Sequence, residues 1–282
     1  MPGNTAPGPN AASHLARRTL ARIRELDRAP ITLHTKGRFT MLEGARGLTP
    51  ERAASILSRD PVALARVLSA ANAREWTRRR PIVDRHEAIR CLGMSGVVEA
   101  VESLDTWSGR LPHADSVFTQ WRSTAVAVAE TASRIAQQHA FAGTPGIYEA
   151  ALLHNLGHLA LLLIDSEGYP DMFAVRPAGP RRTHETERYG VTDSDAGAEL
   201  ARAWKLPEPV VVTIEYLRHP ESAPSSQDTV AVTALAHHIV QMERDLETGC
   251  DEALRILGLT QSTLRATVLE LHAATHAGAV EI

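Results

Sequence analysis

The stretch Ala150-Ala-Leu-Leu-His-Asn-Leu-Gly-His158 belongs to a dense apolar run that continues to Ile164. Because the run leaves no polar face, it predicts a helix buried in the middle of the protein. His154 in such a helix must hold a hydrogen-bond partner or a metal. Gly157 is interpreted as a glycine stop. The apolar residues are Leu152, Leu153, Leu156, Leu159, Leu161, Leu162 and Leu163.

The composition describes a globular chain without a disulfide framework. Its 282 residues can bury a sizeable core. The two cysteines, Cys91 and Cys250, lie in helical patterns, which favours a reducing compartment. The 30 basic and 33 acidic side chains give a formal charge of -3, which argues against nucleic acid as a partner.

The sequence predicts no membrane attachment. Residues 1–12 open with prolines, glycines and asparagines and lack the basic start and apolar core of a signal peptide, so a disordered tail is predicted there. The apolar run at 159–164 is much shorter than the roughly 20 residues that a transmembrane helix needs. A cytoplasmic location is therefore expected.

Helical signals recur along the chain, and no segment shows the alternation of a strand. Thr49-Pro50 and Asp60-Pro61 each predict a helix start, with a polar cap followed by proline. Gly93 is predicted to separate two helices, and 108–115 reads as a hinge. The fold class is therefore predicted to be all α. The longest helices are expected at 117–140, 230–246 and 251–276.

Three segments together resemble the HDOD family, bacterial regulatory modules related to the HD superfamily of metal-dependent phosphohydrolases. The first is Ile56-Leu-Ser-Arg-Asp-Pro-Val-Ala-Leu-Ala-Arg-Val-Leu-Ser-Ala-Ala-Asn72, followed by His86-Glu-Ala-Ile-Arg-Cys-Leu-Gly93. The second, Leu152-Leu-His-Asn-Leu-Gly157, is similar to the family's LLHDIG motif. The third comprises Gly190 to Gly197, Trp204-Lys-Leu-Pro207 and His219-Pro220.

The resemblance covers the chain from about Ala29 to Pro220 and implies a bundle of two lobes. An N-terminal helical lobe is predicted at 13–110, and an HD-like helical lobe at 111–220. Residues 221–282 are predicted to form C-terminal helices that pack on the HD-like lobe.

The resemblance also implies where metal ligands would lie, because a hydrolytic HD site holds one or two metals with histidines and aspartates. Arg122 stands where the long helix would offer its first histidine. His154 is kept, but the acid that should follow it is Asn155. Asp193 stands where a histidine would follow Gly190.

The remaining ligand positions are altered as well. The paired histidines before the proline have become Arg218 and His219, and the last aspartate is matched at best by His237 or His238. An amide carries no charge, and a guanidinium cannot deprotonate to become a ligand. The sequence therefore predicts a degenerate site with no metal, no cofactor and no catalytic residue.

Two interpretations of His154 stay open. It is either a buried histidine bonded to a backbone carbonyl or to Asp193, which is preferred, or a ligand of an unusual mixed metal site. That site would use His154, Asp193, His219 and His237.

Arg122 likewise has two interpretations. The preferred one is a salt bridge to Asp193 or Asp195 that fills the former metal cavity, since those acids would otherwise be buried unpaired. The other is an anion-binding group for phosphate or carboxylate.

A basic loop could bind a nucleotide or nucleic acid by charge and stacking, although most such loops are simply solvated. Its residues are Arg74, Trp76, Arg78, Arg79 and Arg80.

Taken together, the sequence predicts a bacterial signalling module that is not an enzyme and that binds a protein partner or a small phosphorylated ligand. The expected binding surface is the groove near residues 74–80 and the helix from Ser95. One alternative is a nucleotide sensor, for example for a cyclic dinucleotide, that uses Arg122, Arg218 or the basic loop. The other is a metal-dependent phosphohydrolase with a rearranged site.

Overall fold

The computed structural model describes residues 9–27, 29–44, 47–74, 80–107, 112–139, 141, 143–174, 178–241 and 247–267. This part of the chain is built of helices, turns and connecting loops, and it contains no strand. A single bridge pairs Ile31 with Thr106. The predicted all-α fold class is therefore confirmed.

The helices follow one another with short connections. They are α1 (Pro9–Arg24), α2 (Leu33–Gly44), α3 (Pro50–Leu57), α4 (Pro61–Asn72), α5 (Arg85–Glu102), α6 (Pro112–Gln138), α7 (Ile147–Leu153), α8 (Leu156–Ile164), α9 (Tyr169–Phe173), α10 (Ala178–Tyr189), α11 (Asp193–Ala203), α12 (Glu208–Tyr216), α13 (Gln227–Gln241) and α14 (Glu247–Leu257). Residues 261–267 are also helical.

The predicted helix starts are confirmed by their caps. The Thr49 side chain accepts from the backbone N–H of Arg52, and the Asp60 carboxylate accepts from those of Val62 and Ala63. Gly93 adopts a φ of 68° inside α5, so it separates two helical segments as predicted.

The sequence interpretation missed α2 because that helix has little amphipathic pattern. Its Leu33 and Met41 are 73% and 68% exposed, whereas Thr35 and Phe39 are buried. With apolar residues on the solvent face and a threonine on the core face, the sequence lacks the apolar spacing of about 3 to 4 residues that predicts a helix.

Several boundaries differ from the predicted ones. Helix α1 begins at Pro9, inside the segment predicted as a tail, since proline's fixed φ suits the first helical position. Helix α6 begins at Pro112, inside the predicted hinge. Gly258, with a φ of 64°, interrupts the helix expected at 251–276. The predicted segments that lie outside the described residues are 1–8, 108–111, 242–246 and 268–276.

The central apolar segment lies in the core, but it forms two helices instead of one. Helix α7 ends at Leu153 and α8 begins at Leu156, with His154 and Asn155 at the break. By length and composition 147–164 could cross a membrane, yet most of it is buried inside the protein. The same hydrophobic core contains residues of both predicted lobes. The segment therefore serves as the packing centre of the bundle.

Gly157 is a crossing point and not a helix stop, so the sequence interpretation of it was wrong. It is the second residue of α8, which packs closely on α11. A Cβ atom at position 157 would lie 1.7 Å from the carbonyl oxygen of Asp193, and one at Gly197 would lie 2.7 Å from the Gly157 nitrogen. Because both side chains are absent, the backbones of the two helices touch, and the start of α11 lies beside the α7–α8 break.

Candidate functional site

His154 is held by two hydrogen bonds inside the core. Its Nδ1 lies 2.6 Å from the carbonyl oxygen of Ala151, and its Nε2 lies 2.9 Å from Nδ1 of His237 on α13. A carbonyl only accepts, so His154 carries its proton on Nδ1, and its Nε2 lone pair accepts from His237. Burial, together with the neighbouring His237, lowers the pKa of His154 well below its ordinary value. Of the two partners that the preferred interpretation allowed, a backbone carbonyl or Asp193, the structure has the backbone carbonyl.

Asn155 ties the α7–α8 break to helix α6. Its side-chain Nδ2 donates to the carbonyl of Trp121 (3.2 Å), and the Trp121 indole N–H donates to the carbonyl of Asn155 (2.8 Å). The Asn155 Oδ1 is buried and accepts no bond from a described residue. An aspartate could not make the amide's donor bond, so the amide suits a structural role at this position.

Asp193, the first residue of α11, forms an ion pair with Arg182 and lies beside the buried imidazole of His158. Its carboxylate lies 3.2 Å from Nη1 of Arg182 and 3.7 Å from Nε2 of His158. Burial alone would raise the pKa of Asp193, but His158 and the guanidinium groups of Arg218 and Arg182 outweigh burial and hold it below its ordinary value. The negative charge is therefore neutralised by the protein itself.

A buried polar network that sequence reasoning missed lies behind Asp193. Glu185 accepts from the backbone N–H of Asp193 (2.9 Å) and from the hydroxyl of Tyr169 (3.2 Å), and it lies 3.7 Å from Arg181. Burial and the charge of Asp193 raise the pKa of Glu185 to about 8. His158 shares a 2.7 Å hydrogen bond with Tyr169, and burial, followed by Arg181, lowers its pKa to about 3.

The sequence signal for this network was weak because α10 is polar throughout. Glu185 and Arg181 look like members of a solvated helix, yet both are almost fully buried. Their spacing of four residues is the one feature that could have indicated a paired face.

Arg122 does not join this site, so its predicted salt bridge to Asp193 or Asp195 is wrong. Its Nη1 donates to the backbone carbonyl of Arg59 (3.1 Å) in the N-terminal part of the protein. Successive helical residues point about 100° apart, and the buried Trp121 is the one that contacts the α7–α8 break. Asp195 instead caps its own helix.

His219 also lies away from the site. Its side chain is 68% exposed and faces Glu252 at 3.7 Å. Arg218, the residue before it, does reach the site, since its charge acts on both Asp193 and His158. The structure thus brings together five of the predicted positions and leaves out Arg122 and His219. The five are His154, Asn155, Asp193, Arg218 and His237.

The donors of these positions do not fit a divalent metal. The His154 lone pair is engaged by His237, position 155 offers a neutral amide, and Asp193 is paired with Arg182. Within the described residues, no group of three histidine, cysteine or acidic side chains is arranged to hold a metal ion. A cation added here would face the repulsion of the guanidinium groups.

The basic loop is described only at its two ends, where Arg74 and Arg80 are exposed. Arg80 lies 4.0 Å from Glu87, a weak surface pair. Asn72 holds the ends together, because its amide accepts from the N–H of Ile82 and donates to the carbonyl of the same residue. Trp76, Arg78 and Arg79 lie outside the described residues.

The fold and the site together define an all-helical protein with an HD-like arrangement. The HDOD domain model matches residues 38–220, and the chain belongs to the HDOD family. The resemblance seen in the sequence is thereby confirmed.

Solved structures and a curated sequence are similar at low identity. The MmoQ response regulator from Methylococcus capsulatus str. Bath matches with a TM-score of 0.67 and 21% identity, over 85% of this chain and 97% of that one. A virulence factor from Campylobacter jejuni subsp. jejuni gives 0.68 and 16%, over 90% and 94%. An uncharacterised protein from Treponema pallidum (strain Nichols) is 24% identical over 215 residues, 72% of this chain. The chain spans 40% of that relative's length. These likenesses establish the fold.

Proposed function

We propose that this protein is a non-catalytic regulatory module that acts in signalling by binding a partner protein or a small ligand. The observation that carries the proposal is the hydrogen bond between His154 Nε2 and His237 Nδ1 (2.9 Å). The lone pair that would bind a metal in a hydrolytic HD site is used inside the protein. The ion pair of Asp193 with Arg182 supports the same conclusion.

Membership in the HDOD family supports the signalling part of the proposal. One structural relative is named a response regulator and another a virulence factor, and a regulatory role is extended to this chain from those names. We also propose a cytoplasmic location, because the chain has two cysteines, Cys91 and Cys250, too few for the disulfide framework that is typical of secreted proteins.

The rearranged phosphohydrolase is the weaker candidate because one of its four ligands, His219, lies away from the other three. His219 is an exposed side chain beside Glu252, whereas His154 and His237 are buried.

Turnover measurements test the proposal. The purified protein would be incubated with Mn²⁺, Fe²⁺ or Zn²⁺ and a panel of nucleotides, cyclic dinucleotides and a chromogenic phosphodiester, and the products would be separated by chromatography. We expect the same rate as in a blank without protein. The matched control is His154→Ala, which removes the central candidate ligand. Cleavage that EDTA abolishes and that His154→Ala loses would overturn the proposal.

A further inference from the structure

A cavity lies away from the HD-like site, between α2, the α3–α4 turn and α6. Its volume is about 430 Å³, and three arginines are among the residues that line it, Arg38, Arg59 and Arg122. The apolar residues Ile56 and Val126 also line the cavity. The volume falls in the range of sites for small molecules.

The three arginines are poorly neutralised. Arg38 has no hydrogen-bond or ion-pair partner among the described residues. Arg122 uses Nη1 for the carbonyl of Arg59, while its Nε is buried and has no partner in the described part of the chain. Arg59 meets Glu130 at 3.8 Å, a long and half-exposed pair. A buried guanidinium donor without a partner is costly, and an anion in the cavity would compensate the positive charge of Arg122.

The acids near the cavity do not remove this excess of positive charge. Asp60 is buried and acts on Arg122 through its charge. Its carboxylate is already occupied by the backbone N–H groups of Val62 and Ala63 and by the hydroxyl of Thr35. With Asp60 and Glu130 as the nearby acids, three guanidinium groups face two carboxylates.

We infer that this cavity binds a small organic phosphate of about the size of a nucleoside monophosphate, with Arg38 and Arg122 as the phosphate ligands. Guanidinium groups match phosphate oxygens in forked, charge-assisted hydrogen bonds. The apolar wall gives the organic part of the ligand a surface to pack on. The inference rests on the proposed function, because it names a ligand for a module that acts by binding.

The position of the cavity gives the ligand a means of regulation. Arg38 lies on α2, and Arg122 lies on α6. A phosphate held by both would connect the N-terminal helices to the HD-like helices. Its binding would therefore favour one arrangement of these two parts of the protein.

Isothermal titration calorimetry on the full chain tests the inference. The probes are AMP, GMP, inorganic phosphate and, as a carboxylate, malonate. We expect AMP or GMP to bind one to one and more tightly than malonate, and binding to weaken with added NaCl. Arg38→Ala should weaken binding by about ten- to a hundredfold, as the loss of a charged hydrogen bond does. Arg134→Ala, an exposed arginine farther along α6, is the matched control and should bind like the wild type.

Three outcomes would overturn the inference: no heat with AMP, GMP or phosphate at about 1 mM ligand, equal weakening by Arg38→Ala and Arg134→Ala, or tighter binding of malonate than of the phosphates. Circular dichroism of Arg38→Ala verifies that the variant is folded. The nucleotide is then recovered and analysed. If it is cleaved while Arg38→Ala still weakens binding, the proposed non-catalytic function fails and the cavity assignment stands.

Discussion

At the scale of single residues, the protonation of buried side chains decides what the site can do. His154 is neutral and its Nε2 accepts from His237, so it has no lone pair left for a metal. Asp193 keeps its charge because Arg182 and Arg218 compensate for burial. The site is thus held by its own contacts, which is why we interpret it as structural.

Glu185 gives this site a measurable pH dependence. Burial and Asp193 raise its pKa from the ordinary 4.5 to about 8. The folded state therefore keeps the proton between these values while the unfolded state releases it, so stability is full at low pH and falls as pH rises through this window. Glu185→Gln should remove this loss. Relative to the wild type, we expect the variant to gain about 3 kcal/mol in free energy of unfolding between pH 6 and pH 9, because each pKa unit corresponds to about 1.4 kcal/mol.

Urea unfolding at both pH values measures this gain. The other charged or titratable groups that face Glu185 are Tyr169, Arg181, His158 and Asp193, and all are kept in the variant. Glu187→Gln, at an exposed position on the same helix, is the control, and it should leave the pH dependence of the free energy of unfolding unchanged. An equal pH slope for wild type and Glu185→Gln would show that Glu185 is ionised in the folded protein.

The residue scale is also where sequence reasoning was least complete. For His154 the sequence left a backbone carbonyl and Asp193 open as partners; the structure has the carbonyl of Ala151, and the second partner, His237, was not predicted. The partner of Arg122 was not predicted correctly. The side chain of Arg122 points away from the site because the neighbouring Trp121 occupies the face of α6 that contacts the α7–α8 break. Arg182 reaches Asp193 across the turn between α10 and α11, and no local pattern in the sequence reports that pairing.

At the scale of elements, the crossing of α8 and α11 positions the site. The crossing depends on Gly157, where a Cβ would overlap the carbonyl oxygen of Asp193 at 1.7 Å. Gly157→Ala must push the two helices apart, so we expect a loss of about 3 kcal/mol or more, at the upper end of over-packing effects. The measurement is the free energy of unfolding by urea.

Gly37→Ala is the matched control for that prediction. Gly37 lies inside α2, and a Cβ there would meet nothing within 4 Å. Because alanine favours helix over glycine, this variant should be unchanged or more stable by up to about 1 kcal/mol. If Gly157→Ala were as stable as Gly37→Ala, the close crossing would not exist in solution.

Elements were predictable where local chemistry marks them. Thr49-Pro50 and Asp60-Pro61 carry their helix starts in the sequence itself. Helix α2 was missed because Leu33 and Met41 are apolar but exposed, so the apolar residues do not mark the buried face of the helix. The break at His154–Asn155 was missed because apolar residues continue on both sides of it, and the bond from Trp121 that accompanies it comes from a distant helix.

At the scale of the whole molecule, the all-α fold and the HDOD family were both predictable from the sequence. Motifs spread over residues 56–220 had to occur in one order, and that combination is specific. The boundaries of the two lobes stay predictions, since a common core contains residues from both. The cavity lined by Arg38, Arg59 and Arg122 could not be predicted, because these residues are far apart in the sequence and come together only in the folded protein.

The metal content of the whole protein tests the central claim most directly. The protein would be expressed with added manganese, iron and zinc, purified without chelator, and analysed by plasma mass spectrometry, with His154→Ala prepared in parallel. If the site is closed by its own hydrogen bonds and ion pairs, both proteins should carry less than about 0.1 metal ion per chain. The account would be contradicted if the wild type carried about one or two ions per chain and His154→Ala lost them. That result would favour a metal-dependent phosphohydrolase.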